Sequence, residues 1–348
     1  MTKQTWTAFV SAVMFVGLAA LIALVPVPFV AWSPGGTQDT LGSVAGQPII
    51  KIEGIESFPT TGRLDLTTVA VTRADSHLTL PEAILSYWLP HRDALPRDAV
   101  YAPNKSSDQV ESEEAEMMVT AQDDAVVAAL RAAGKPVTEM PAVASVTVGG
   151  PAHGRLMPGD LVVSVDGVKT PNVASVGVQI RNHPVGKKLD FLVLRDRVRT
   201  HVLVTTAEST TESGVAVAGI TVGLGYLYKP RISFDLGQEV GGPSAGLVFA
   251  LAIYDKITDG ALLQGRHIAG TGEITPEGTV GAIGGIQEKI AAAEKAKATA
   301  FLVPAPNCAD LAGLKTDLVL VKVTTLKDGI DAVRTLESPG GTAQTPHC

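Results

Sequence analysis

The chain opens with a block of apolar residues and only later settles into periodic patterns. Residues 8–32, AFVSAVMFVGLAALIALVPVPFVAW, carry no charge. That run is longer than the ~20 apolar residues a helix needs to span a bilayer, and it predicts an uncleaved membrane anchor. The rival, a cleaved signal peptide, has an apolar region of about 7 to 15 residues. Pro26, Pro28 and the SPGG at 33–36 close the run. QPIIKIEG and RLDLTTVAVT follow, rich in Ile, Val and Thr between Pro and Gly turns, and they predict two strands. From Pro81 the spacing turns helical, through EAILSYWL and later DDAVVAALRAAG, with Gly134 and Pro136 as the stop. The intervening SSDQVESEEAEMM predicts a solvated acidic helix face.

Residues 140–204 alternate short strands with turns. VASVTV, a Gly-Gly-Pro turn, PGD, LVVSVDG, a helix near 175–182, LDFLVLRD and THVLV together predict a compact, mostly β module. Further on, Ile286, Ile290, Ala293 and Ala296 recur at i, i+4, i+7 and i+10, the spacing of one helix face. Lys289 falls on that inward stripe, whereas Gln287, Glu288, Glu294 and Lys295 fall outside it. Desolvation lowers a lysine pKa and supplies the neutral amine that a nucleophilic serine needs as general base. The alternative is a lysine that snorkels its stem past the core.

Composition narrows the function classes. The 348 residues have room for two or three domains. A net charge of -7 argues against a general nucleic-acid binder, which needs a basic face, and leaves protein or peptide partners. Lys3 is the only charge before Asp39, so the positive-inside rule keeps the N-terminus cytoplasmic and turns the rest outward. Cys308 and Cys348 are an even pair in that oxidising exterior and predict a disulfide. Neither belongs to a closely spaced set of three or four Cys or His such as a metal site needs, HExxH does not occur, and no cofactor is expected. A homo-oligomer is left open.

Gly242-Pro243-Ser244-Ala245-Gly246 satisfies GxSxG, the nucleophile elbow of α/β-hydrolases. An elbow wants an apolar strand before it, and FDLGQEVG is polar and broken by glycine. The histidines that follow in triad order, His267 after Asp259 or the near-terminal His347, make poor partners.

Two resemblances add to these readings. GGPAHG, L-x-PGD and VDG, in that order, resemble a PDZ domain of the bacterial protease type. Such a domain takes an extended peptide as an added strand and caps its carboxylate with backbone N–H groups; the capping loop is expected near 140–143. GGPSAGL, followed by TGEI, G-x-V, IGG and QEKIAAAEKA, resembles the Lon protease domain over about 215–333. The resemblance implies Ser244 as nucleophile and Lys289, 45 residues on, as its general base. It also implies that Thr271 helps position the dyad. Pro243 suits the first turn of a helix, which would place Ser244 at an N-terminus whose free N–H groups stabilise an oxyanion. Gly241, Gly242 and Gly246 would leave room there for substrate backbone. ATP-dependent Lon proteases have an acidic residue where Gly241 or Gly242 stands, and the GxxxxGK[ST] loop of an ATPase module is absent from these residues.

An anchor, a PDZ module and a Lon-type catalytic segment together resemble the membrane-anchored PDZ-containing Lon-like peptidases of bacteria. The expected class is α+β, with the PDZ domain inserted or appended. The expected divisions are an anchor and linker at 1–39, an α/β segment of the catalytic unit at 40–139, the PDZ domain at 140–205, the proteolytic domain at 206–337 and a tail at 338–348. The expected activity is ATP-independent serine endopeptidase action on extracytoplasmic or membrane proteins, with the PDZ domain selecting substrates. Its alternatives are a non-catalytic PDZ adaptor and an α/β-hydrolase-type esterase.

Overall fold

The computed structural model describes residues 2–102, 105–236, 240–336 and 341–348. The chain forms two units, one of residues 1–134 with 230–348 and one of Lys135–Lys229. The boundary expected at 337/338 lies outside the described residues.

The apolar run folds as α1 (Lys3–Leu24), a helix long and apolar enough to cross a membrane, with none of its residues buried. It ends eight residues before Trp32, where the uncharged run stops. Pro26 and Pro28 lack the N–H that a helix needs, and Val25 is already extended. The chain passes instead into β1 (Pro26–Val27) and β2 (Phe29–Asp39), so most of the expected linker is sheet. β3 (Arg63–Val71) lies antiparallel to β2, and β4 (Leu78–Thr79) lies antiparallel to β1. α2 (Leu80–Trp88) starts directly after β4, with Glu82 accepting from the Thr79 N–H at 2.8 Å. β5 (Asp93–Pro96) forms the other neighbour of β2. α3 (Ser107–Ala132) is a single helix that unites the acidic run with DDAVVAALRA. Its second half, Ala125 to Leu130, is buried, while most of the acidic first half faces out.

The second unit contains β6 (Val137–Val146), β7 (Leu161–Val165), α4 (Val173–Arg181), β8 (Lys188–Arg195), β9 (Val198–Thr205) and β10 (Ile220–Tyr228). The sheet order is β9-β8-β7-β6-β10. Val143, Val162, Val176, Phe191 and Val204 meet in its core. Asp160 of the PGD turn is buried because it has work to do: its two oxygens accept from Arg195 at 2.8 and 2.7 Å, and one also accepts from the Met157 N–H. Residues 140–143, expected to be a peptide-capping loop, are instead part of β6 and paired on both sides. Ala142 faces Leu161 of β7, and Met140 faces Gly225 of β10. The physical reason is β10, which comes from beyond residue 205 and fills the flank of β6 that a peptide would need.

The first unit resumes at residue 230, where Arg231–Phe234 pairs with Ile50–Glu53. Then come α5 (Gly246–Ile257), β11 (His267–Gly270), β12 (Glu273–Ile274), α6 (Ile286–Lys295), β13 (Ala300–Pro304), β14 (Val319–Val323) and α7 (Leu326–Leu336). The sheet runs β14-β13-β11-β3-β2-β5, with the first four strands parallel. α5 is apolar almost all round because α3, α7, β12 and the sheet enclose it; Leu247 to Ile253 have no exposure. α6 packs on β2, β3 and β13. Residues 341–348 return along β14, where Lys322 N–H donates to the Pro346 carbonyl and Cys348 is bonded to Cys308.

Candidate active site

Parallel strands present their carboxyl ends to ligands, and the site is built at that end of β11. Thr271 follows the strand directly and is buried. Ser244 sits in a half-buried turn before α5, which begins at Gly246, so neither Pro243 nor Ser244 is in the helix. The turn is fastened sideways instead of being wound into the helix. The Gly272 N–H donates to the Ser244 carbonyl at 2.8 Å and the Leu247 N–H donates to the Gly272 carbonyl at 3.0 Å. Gly246 allows this close approach, since a methyl group there would stand 2.8 Å from Ile274 Cγ2 and 3.1 Å from its backbone nitrogen.

α6 brings Lys289 to the same place. Gly285 caps the helix with φ at 67°, and a methyl group on it would lie 2.5 Å from Val69 Cγ2, so glycine alone suits the position. Lys289 is 4% exposed. Its Nζ donates to Thr271 Oγ1 at 3.1 Å, and that hydroxyl donates to the Ser244 carbonyl at 2.9 Å. Burial pulls the lysine pKa down to about 8, against the opposing pull of the Glu273 and Glu288 carboxylates. Glu288 departs from expectation. It is buried, desolvation pushes its pKa up, and Asp93 of β5 hydrogen-bonds its carboxyl.

A cavity of about 550 Å³ is lined by Ser244 and Lys289 together with Gly241, Gly242, Trp32 and Glu114. The Gly242 N–H donates to the Glu114 carbonyl at 3.1 Å, and the Gly246 N–H to that of Pro243 at 3.4 Å. Both amides are thus engaged, and Gly242 and Gly246 serve the shape of the turn. Gly241 has its missing side chain against the Glu114 carboxylate, 2.9 Å from Oε2. Glu114, half-buried, has its pKa raised by desolvation and by Glu111. Sequence reasoning missed Glu114 and Trp32 as site residues. One was hidden in an acidic run read as solvated, the other at the end of an apolar run read as anchor.

The histidines of the hydrolase alternative lie elsewhere. His267 stands at the start of β11, its Nε2 2.9 Å from buried Asp65, and Nε2 of His347 is 2.7 Å from the Thr342 carbonyl. Neither lines the cavity. Among the described residues no three His, Cys, Asp or Glu side chains gather as metal ligands.

Comparison with known proteins gives matches for two segments of the chain. Residues 239–333 match the Lon protease (S16) C-terminal proteolytic domain, and residues 131–194 match the PDZ domain. The Lon protease of Roseiflexus castenholzii is 41% identical over 87 residues, which cover 23% of this chain and 11% of that protein. That of Campylobacter concisus is 42% identical over 93 residues, 25% of this chain and 11% of that protein. The Lon protease of Clostridioides difficile is 46% identical over 70 residues, 20% and 9% of the two. The chain therefore spans about a tenth of the length of these relatives. Among solved structures, the PDZ domain of an SdrC-like protein from Listeria monocytogenes covers 24% of this chain and 86% of its own, at 21% identity and a TM-score of 0.22. The corresponding Listeria innocua domain covers 23% and 90%, at 22% identity and the same TM-score of 0.22. The chain thus joins a segment similar to the Lon protease proteolytic domain, which holds both Ser244 and Lys289, to a segment similar to a PDZ domain.

Proposed function

We propose that the protein is a serine endopeptidase in which Ser244 is the nucleophile and Lys289 the general base. The observation that carries this reading is the hydrogen-bonded chain from Lys289 Nζ through Thr271 Oγ1 to the Ser244 carbonyl, with Ser244 and Lys289 lining one cavity. The neutral amine takes the proton of Ser244 Oγ as that oxygen bonds to the scissile carbonyl carbon. The ammonium then returns the proton to the leaving amine as the C–N bond breaks, and water hydrolyses the acyl-enzyme by the same route in reverse. Thr271 holds the amine in place, and Lys289 needs little displacement to lose a proton because burial already disfavours its charged form.

The finer features of the reading have separate supports. No GxxxxGK[ST] loop occurs in the 348 residues, which favours cleavage without ATP hydrolysis by this chain. The apolar α1 and the charge pattern around it favour a membrane protein with both folded units outside. Selection of substrates falls to the PDZ-like unit. An extended peptide adds to a free sheet edge, and of the two edges, β9 and β10, only β10 has helix α4 packed beside it. Trp32 in the cavity wall is eight residues from the end of α1, at most about 26 Å of extended chain. The site is therefore within reach of polypeptide emerging from the membrane.

Cleavage of an unfolded polypeptide by purified protein tests the dyad. Ser244→Ala and Lys289→Arg should each abolish it, and the double variant should be no worse, because residues acting as one unit are not additive. Arginine keeps its proton and cannot act as the base. The dyad is falsified if folded Lys289→Arg turns over near-normally, or if His267→Ala abolishes activity.

A further inference from the structure

We infer that α2 is a second membrane contact, lying in the lipid interface beside the exit of the anchor helix, and the inference rests on the membrane reading of α1. α2 buries only Ala83 and Ser86 against its own unit. Its remaining face carries Ile84, Leu85, Tyr87 and Trp88, which are 41, 54, 73 and 76% exposed. At 3.6 residues per turn these four share an arc of about 160° on one side of the helix. A soluble surface rarely gathers four large apolar side chains in two turns, two of them aromatic, without a partner.

The position of α2 identifies that partner. α2 lies against α1, and β1 directly after α1 pairs with β4 directly before α2, with Pro26 facing Thr79. The exposed face is thus continuous with the end of the helix that is apolar enough to span the bilayer, where Leu24 and Val25 are themselves exposed. Tyr and Trp are the residues that settle at the headgroup level, with an apolar ring body and a polar N–H or O–H. Arg92, exposed just after α2, suits anionic headgroups at the same depth. A protein partner or a second copy would explain an apolar patch equally well, but neither would explain why it adjoins the anchor and is tipped with Tyr and Trp. Two points of attachment, unlike one, would fix the tilt of this unit on the membrane surface.

Tryptophan fluorescence tests the inference without reference to catalysis. Full-length protein carrying Ser244→Ala is reconstituted in phosphatidylcholine–phosphatidylglycerol vesicles, with or without bromine on the acyl carbons nearest the headgroup. Trp6 lies in α1, Trp88 in α2, and Trp32 is left in place as a constant background. The emission share of Trp88 is the difference between Trp6→Phe and Trp6→Phe/Trp88→Phe, and that of Trp6 follows likewise from Trp88→Phe. Brominated lipid should quench the Trp88 share about twofold or more and should quench the Trp6 share as well, as expected of side chains at the interfacial depth. Quenching of Trp6 alone, with Trp88 open to acrylamide in the water phase, would overturn the inference and leave the anchor standing. Quenching of neither would overturn both, and the peptidase reading would still be judged by its own variants.

Discussion

Lys289 shows how much a single residue depends on what covers it. Its pKa of about 8, against an ordinary 10.5, arises first from burial and is moderated by Glu273 and Glu288. If the neutral amine is the base, cleavage should rise with pH through a midpoint near 8. Glu273→Gln removes the carboxylate that most strongly favours the ammonium form, so the same rise should occur at lower pH. A pH profile of kcat/KM checks both, and an unmoved midpoint in Glu273→Gln would separate that carboxylate from the lysine. The sign for stability is the same. Between about pH 8 and 10.5 the unfolded chain still holds a proton that the folded chain has released, so this group makes stability increase with pH across that window and penalises the folded state below it. Periodicity was enough to place Lys289 on an inward stripe. It placed Glu288 outside, because the pattern on α6 reveals its first buried face and not the second, where Asp93 of β5 meets Glu288.

At the scale of elements, the serine turn depends on the close approach of α5 to β12. Gly246→Ala should press a methyl group into Ile274 and cost about 1–3 kcal/mol, the range for overpacking a filled core. Urea denaturation should show a lower midpoint, and activity should fall with it, since the same turn holds the Ser244 carbonyl on Thr271. An unchanged midpoint would mean that Ile274 yields freely and that the glycine is not needed for packing. The helix that follows Ser244 is legible, and so are the two strands after the anchor. The start of α5 was not legible, because Pro243 suits a first turn by its φ, while the hydrogen bonds that bind residues 244–247 to Gly272 come from a segment 25 residues away. α1 likewise ends at its prolines, although the apolar composition runs on to Trp32.

For the whole molecule, the disulfide joins Cys308 to Cys348 across a separation of 40 residues and fastens the returning C-terminal segment. On the chain-entropy model it contributes about 4 kcal/mol at most, so reduction should lower the Tm by several degrees without altering Ser244 or Lys289. Alkylation before reduction should add no mass; two free thiols would reject the bond.

Residue order alone sets out the chemistry on offer: a serine in a glycine turn, a lysine on an apolar stripe, a threonine at a strand end, and two segments whose motifs resemble PDZ and Lon proteolytic domains. These are local facts, carried by residue type and short-range spacing. Their surroundings come from the packing of distant segments. Trp32 and Glu114 reach the cavity from strands and helices more than a hundred residues before Ser244, and β10 takes the flank of β6 that residues 140–143 had suggested for a peptide. The physical reason is that periodicity records which side of an element is buried. Which distant element does the burying is set by sheet order and packing, and no spacing within one segment encodes it.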